Sequence, residues 1–423
     1  MPHTAPRAGT VPSLRVLFCN WRDTRNPEGG GSEVYVENIA TALAAAGHDI
    51  TVFCAAHDNA PADEVVDGVR FVRRGSKLGV YSEAFRARRR GELGRFDVVV
   101  DVQNGIPFGS TLSGDEPVVV LVHHVHREQW PVVYGPVRSR IGWFLESRVA
   151  PRVYRRSRYV AVSRATHDEL VGLGVDPERI TVIHNGTEPA VVDARPDTAP
   201  RILVLGRLVP HKRVEHVLHA ASVLRHEIPG LTVAVVGDGW WADELAEEAR
   251  RCGVDDIVEF TGFATEERKH EELSRAWVLA LPSLKEGWGL VVLEAAGYGV
   301  PSVGYAHAGG VAESVVDGCT GVLADTEDEF TDALRRLLVD EQLRTRLGTA
   351  ALARSFEFGW DTAAIAFGDV LAHAAGRAVV AVDPDVAPAH LEHDHVEHVH
   401  ADADQTVLVL PEPQTAKAAT PQG

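Results

Sequence analysis

The chain has 423 residues, 45% of them hydrophobic and 24% charged, enough apolar material for two cores and too much for a disordered chain. A formal charge of -18 excludes a general nucleic-acid binder, whose affinity comes from clustered Lys and Arg. The four cysteines, Cys19, Cys54, Cys252 and Cys319, fall in no metal-ligand spacing and read as buried small hydrophobes of a reducing compartment. With an N-terminus lacking an apolar segment and no apolar run of about 18 residues, they lead us to expect a cytoplasmic protein.

In chain order, Leu14 to Cys19 reads as a strand. A loop follows to Gly31, then a helical pattern from Ser32 to Ala46 that Gly47 ends, with Ser32 suited to cap it, and His48 to Cys54 as the next strand. Buried-strand patterns recur at Asp97 to Val102, Val118 to Val122, Tyr159 to Val162 and Ile180 to His184. The Pro-, Asp- and Ala-rich stretch from Glu188 lacks periodicity and reads as a linker, residues 188–200. A second series begins beyond it, with strands at Ile202 to Leu205, Leu231 to Val236, Ile257 to Thr261, Val278 to Leu281 and Ser302 to Tyr305, and helices such as Asp243 to Arg251 and Leu290 to Tyr298 between them. Such alternation predicts an α/β fold of two facing, doubly wound, Rossmann-like domains, residues 14–187 and 201–355. Residues 1–13 are expected to be flexible and the His-, Asp- and Glu-rich residues 376–423 to be disordered, with no catalytic role.

The densest chemical signal is EGWGLVVLEAAGYGVPSVGYAHAGGVAE. Glu286 is followed by a turn containing Gly287 and Gly289, and then by a helix that starts near Leu290 and carries Glu294. Both carboxylates can face one extended ligand, while free N–H groups of the turn and helix start suit phosphate oxygens. A solvated loop glutamate and a helix-surface charge are the bland alternative. The small residues after Glu294 oppose it, because an unpartnered glutamate packed there is costly. Gly309 and Gly310 add a second close-approach loop.

Taken with GGGSEVYVENIATAL, the strand ending at His123, VSRATHDEL, HNGTE, GRLVPHKR, VVGDGWWADEL and FTGF, the block makes the chain resemble the retaining GT-B glycosyltransferases of family 4, from Leu14 to about Ala375. The resemblance implies an acceptor-side first domain, a nucleotide-sugar-binding second domain and a helix within 356–375 crossing back to the first. It implies that Arg207 and Lys212 hold the donor diphosphate and neutralise charge as it leaves, a role that suits cations at a strand end. Glu294 would accept from the ribose hydroxyls, and Glu286 and His123 would lie by the donor sugar. Gly30 and Gly31, with Gly29, would let the first domain approach the donor. Gly237 and Phe263 would border the base. The catalytic set is thus Glu286, His123, Arg207 and Lys212. No cofactor and no metal are implied, since the nucleotide sugar is itself a substrate.

The implied activity moves a hexose from GDP-mannose or a UDP-hexose to a glycan or lipid-linked acceptor. A non-catalytic nucleotide-sugar-binding protein and a GT-B epimerase are the alternatives. Trp240 and Trp241 read as packing residues. Two basic stretches stand out: nine cations against two acids between Arg70 and Arg95, and the stretch from Arg138 to Arg158, with Arg148, Arg152, Arg155 and Arg156 inside and Glu146 alone opposing. Each is either a solvated face or a place where the first domain docks on an anionic leaflet, a peripheral contact at the inner face of the membrane.

Overall fold

The computed structural model describes residues 13–188 and 194–377. The expectations for residues 1–12 and for the tail from 378 onward fall outside that range, as do linker residues 189–193.

Two sheets build the described chain. The first comprises β1 (Arg15–Cys19), β2 (Asp49–Cys54), β3 (Asp63–Val66), β4 (Val69–Arg73), β5 (Val98–Val102), β6 (Val118–Val122), β7 (Arg158–Ala161) and β8 (Ile180–Val182). Its order is β3-β4-β2-β1-β5-β6-β7-β8. The second comprises β9 (Arg201–Leu205), β10 (Thr232–Val236), β11 (Val258–Gly262), β12 (Val278–Leu281), β13 (Ser302–Tyr305) and β14 (Gly321–Ala324), in the order β11-β10-β9-β12-β13-β14. Both orders reverse direction beside their first strand, which is the doubly wound arrangement. The VVVDV of β5 and VVVLV of β6 are buried at every position, as strands covered on both faces must be.

Three features differ from the sequence reading. The hairpin of β3 and β4 is an antiparallel edge on an otherwise parallel sheet. It escaped notice because its strands alternate weakly, although the turn residues Asp67 and Gly68 both take positive φ, the geometry that tight hairpins need. The strand β14 was also missed. Finally, Ser32 does not cap the first helix, Gly31–Ala45. Gly30 precedes that helix, and its N–H donates to Glu33 Oε2 at 2.8 Å, so the glutamate three residues in supplies the capping partner.

The helix Trp360–Ala374 returns to the first sheet and lies on the helix Gly31–Ala45. Phe367 is fully buried there, stacked on Phe18 at 5.9 Å, while Trp360 meets the edge of Tyr35 at 5.9 Å. The two crossings between the lobes run side by side: Thr187 N donates to Phe358 O at 2.9 Å. At Gly186 any Cβ would sit 2.5 Å from Trp360 N, so that crossing admits only glycine.

Of the cysteines, Cys19 and Cys54 are buried as expected, but Cys252 is half-buried and Cys319 is exposed, and all four are free thiols. Trp241 packs against the second core, whereas Trp240 is 60% exposed. Among the described residues no helix is long and apolar enough to cross a membrane.

Candidate active site

The sheets meet at the carboxyl ends of their strands, and the residues there come from loops remote in sequence. From β6 the chain passes directly into His123, which is 5% exposed and lies edge-on to Tyr35 at 5.4 Å. Its carbonyl accepts from Thr166 Oγ1 at 3.0 Å, whereas its Nε2 is buried with no hydrogen-bond partner. Burial, with His126 nearby, lowers its pKa to about 3, so the ring is neutral at ordinary pH. His124 is also shifted well down by burial and bonds Gln129 at 3.0 Å.

From β9 the chain turns at Gly206, whose φ is +144°, into Arg207. Arg207 donates from Nη1 to Glu28 O of the first lobe at 3.1 Å. A Cβ on Gly30 would lie 3.4 Å from Arg207 Nε, and one on Gly31 would lie 3.0 Å from Leu290 Cδ1. The glycine loop of one lobe therefore rests directly on the site residues of the other. Burial, then the charge of Arg22, lowers the Arg207 pKa from its ordinary value.

Beyond β12, Glu286 Oε1 accepts from Lys212 Nζ at 2.6 Å and from Ser283 Oγ at 2.7 Å. Burial pushes this carboxyl up, but Lys212 and the hydrogen bonds outweigh it and hold Glu286 below its ordinary pKa. The backbone of its loop is fixed on both sides, with Glu286 N donating to Ala308 O at 2.9 Å and Gly310 N donating to Glu286 O at 3.1 Å. Close packing makes the glycines obligatory. A Cβ on Gly287 would lie 2.3 Å from His123 O, and one on Gly310 would lie 2.0 Å from Gly287 O. Gly289, at φ +87°, starts the seven-residue helix Leu290–Ala296.

His123, Arg207, Lys212, Glu286, Gly287, Gly30, Gly31 and Leu290 thus come together. Glu294 accepts from Lys269 Nζ at 3.0 Å, on the helix Glu266–Arg275. Gly237 lies against Gly206, where a Cβ would meet the Gly206 carbonyl at 2.0 Å. Phe263, after β11, is 84% exposed and has no ring contact among the described residues.

Several residues that complete the site were missed in the sequence. His211 sits beside Lys212 with its Nδ1 buried and unpartnered, its pKa lowered to about 4 by burial and then by Lys212. Its place inside PHK was visible, but its burial was not. Lys285 pairs with Glu169 across the lobes, and Glu313 accepts from Arg164 N at 2.9 Å and Ala165 N at 2.8 Å. These contacts clamp the lobes together at the site's edge. One group of metal-capable side chains occurs among the described residues, His219, Glu248 and Cys252, and its Glu248 is already paired with Arg251.

The model of the family described as Glycosyltransferase Family 4 matches residues 29–191, and that of the Glycosyl transferases group 1 matches residues 190–354. The chain belongs to glycosyltransferase family 4. It is 30% identical over 395 residues to a D-inositol 3-phosphate glycosyltransferase of Streptomyces bingchenggensis, covering 82% of this chain and 85% of the relative. It is also 30% identical to a glycogen synthase of Mycobacterium tuberculosis, over 84% of this chain and 94% of that one. At 28% identity, over 82% and 95% of the two chains, it resembles a GDP-mannose-dependent phosphatidylinositol monomannoside mannosyltransferase of the same species. The sucrose-phosphate synthase of Thermosynechococcus elongatus shares the fold, with a TM-score of 0.73 at 21% identity over 85% of this chain and 98% of that one. This glycosyltransferase therefore has the GT-B fold, transfers sugar from a nucleotide sugar and belongs to a family that retains anomeric configuration.

Proposed function

We propose that this glycosyltransferase moves a hexose from GDP-mannose or a UDP-hexose to a glycan or lipid-linked acceptor, without a metal ion. Residues 201–355 serve as the donor domain and 14–187 as the acceptor-side domain. One observation carries this reading: two cations, Arg207 and Lys212, a carboxylate, Glu286, and a neutral histidine with no Nε2 partner among the described residues, His123, converge between the lobes from three separate loops.

Cleavage of the sugar–phosphate bond leaves negative charge on the diphosphate, and Arg207 and Lys212 neutralise it from half-buried positions fixed by Glu28 O and Glu286. Glycines at 30, 31 and 287 let backbone approach the donor. His123 Nε2 is free to bond a sugar hydroxyl, and a neutral ring does so without adding charge beside a developing oxocarbenium ion. Glu286 orients the donor sugar and keeps Lys212 in place. Glu294 takes the ribose, and Gly237 and Phe263 border the base. The departing phosphate accepts the acceptor's proton, so the step breaks the C1–O bond and forms the new glycosidic bond on the same face of the sugar. The relatives' names span inositol phosphate, glycogen and lipid mannosides, so the acceptor is set by pocket shape within this shared machinery. A cytoplasmic location accords with the four free thiols.

Calorimetric titration with UDP and with GDP, in the presence of a chelator, tests the reading. Binding of one in preference to the other is expected, and it names the base. Binding of neither by folded protein overturns the donor site and favours the non-catalytic alternative. Binding that vanishes with the chelator overturns metal independence.

A further inference from the structure

The two basic stretches have different fates in the fold. In the first, Arg73 is buried against Asp23 and Glu64, Arg88 pairs with Glu116, Arg74 with Asp63, Lys77 with Glu28, Arg86 with Glu83 and Arg90 with Glu92. That stretch is largely neutralised, mostly by acids from neighbouring parts of the first lobe. In the second, Arg138, Arg140, Arg148, Arg155 and Arg156 form no ion pair among the described residues. The sole acid between Trp130 and Arg158 is Glu146, which is fully buried and turned inward to accept from Trp130 Nε1 at 2.8 Å and His126 Nδ1 at 2.9 Å.

The helix Pro136–Phe144 is amphipathic the wrong way round for a surface helix. Its inward positions are the small residues Ser139 and Gly142, the latter so close to Trp130 that a Cβ would meet the ring at 2.4 Å. Its outward stripe is Val137, Ile141 and Phe144, spaced four and three residues apart and 67%, 55% and 58% exposed. Val132, Val133 and Tyr134 extend the exposed apolar surface. At 100° per residue, Arg138 lies about 100° to one side of Val137 and Arg140 about 60° to the other. An apolar stripe flanked by unpaired cations with long stems matches the chemistry of a headgroup boundary, where the stripe enters the acyl region and the guanidinium groups stay with the phosphates.

We propose that this face, from Trp130 to Arg148, docks on an anionic lipid bilayer, and that the basic stretch 70–95 does not. The face is continuous with the lip of the cleft. The segment Trp130–Val133 packs against Pro210–Lys212, and Glu146 ties its Trp130 to His126, three residues beyond His123. Docking therefore sets the opening between the lobes beside the membrane, where a lipid-linked acceptor enters. That last consequence rests on the transferase reading, whereas the docking itself does not.

Co-sedimentation of the full chain with vesicles of phosphatidylcholine, and of phosphatidylcholine mixed with phosphatidylglycerol, tests the proposal. Binding to the mixed vesicles alone, weakened by salt, is expected. The variant Val137→Ser/Ile141→Ser/Phe144→Ser removes exposed side chains and keeps the fold, as an unchanged melting curve and nucleotide titration will show, and its vesicle affinity falls more than about tenfold. Arg138→Gln/Arg140→Gln lowers affinity about 25-fold, at about fivefold per arginine. Arg86→Gln/Arg89→Gln leaves it unchanged. No binding by the wild type, or equal binding by the triple variant, overturns the proposal. So does a wild-type dimer that the triple variant converts to monomer, since a second copy then covers the face. Loss of nucleotide binding with vesicle binding intact would count against the transferase reading only.

Discussion

The strand β9 begins with Arg201 and is followed two residues past its end by Arg207, and the two ends behave as different materials. At its start, Arg201 is buried and enclosed by acids, with Nη2 2.6 Å from Glu272 and 3.3 Å from Glu259. Glu272 pairs further with Arg268 at 2.5 Å, so the charges of this cluster offset one another, although Arg201 Nε and Glu272 Oε1 make no hydrogen bond among the described residues. Just past its end, Arg207 is half-buried and among the described residues bonds a backbone carbonyl of the other lobe and nothing else, while His123 and His211 nearby keep buried ring nitrogens without partners there. What separates the ends is charge: carboxylates compensate Arg201, whereas Arg207 forms no ion pair among the described residues and is left for an anion that arrives. The direction of the strand decides which end is which, because parallel sheets splay their loops at the carboxyl edge.

The sharpest break of this comparison is at Arg201. Arg201→Ala removes the buried partner of Glu272 and leaves it only the partly exposed Arg268 and Arg275, and is expected to cost about 1–3 kcal/mol of stability, read by denaturant melts, with nucleotide affinity of the folded protein unchanged. Loss of nucleotide binding at full stability would make the two ends alike. Next comes Glu286→Gln, for which turnover is expected to fall about 100- to 1,000-fold in a transfer assay while nucleotide affinity changes little. Lys212→Ala is expected to weaken nucleotide binding about tenfold to a hundredfold, the worth of a charge-assisted hydrogen bond. It also leaves Glu286 unpaired, so the double variant Lys212→Ala/Glu286→Gln should melt higher than Lys212→Ala.

A smaller effect comes from acid. His123 has a folded pKa of about 3 and His211 of about 4, both below the unfolded value of about 6.5. The unfolded chain therefore binds more protons as the pH falls below about 6.5, and the stability these neutral rings contribute at neutral pH is lost progressively toward their folded values. His123→Asn should lose less stability than the wild type between neutral pH and about pH 4 in parallel melts. An unchanged pH slope would show that His123 is hydrated. The smallest effect is expected at Glu294→Gln, with nucleotide affinity down about tenfold or less, and stability altered by less than about 1 kcal/mol because the Lys269 pair is partly exposed.

Much of the fold was legible. Val118 to Val122 and Val278 to Leu281 coincide with β6 and β12, because all-buried parallel strands are unbroken apolar runs bounded by turn residues. The edge hairpin of β3 and β4 was not legible, since an edge half in solvent carries charged residues that mimic a loop. For the site, strand-end position marked His123, Arg207 and Glu286 as candidates. It could not reveal Ser283 as the donor to Glu286, nor that Glu294 would pair with Lys269 rather than with the diphosphate-side cations.

The sequence by itself determined the two doubly wound sheets and which loops stand at the strand ends, because these follow from local periodicity, and its motifs carried the resemblance to the family. Only the tertiary structure decided which charges are spent on one another and which remain open. Arg73 and Arg138 are alike as residues in basic stretches, yet one is sealed between Asp23 and Glu64 and the other faces outward beside a bare apolar stripe. The pairs that seal Arg73 act over a few ångströms between residues up to 50 positions apart, so no local pattern in the chain encodes them.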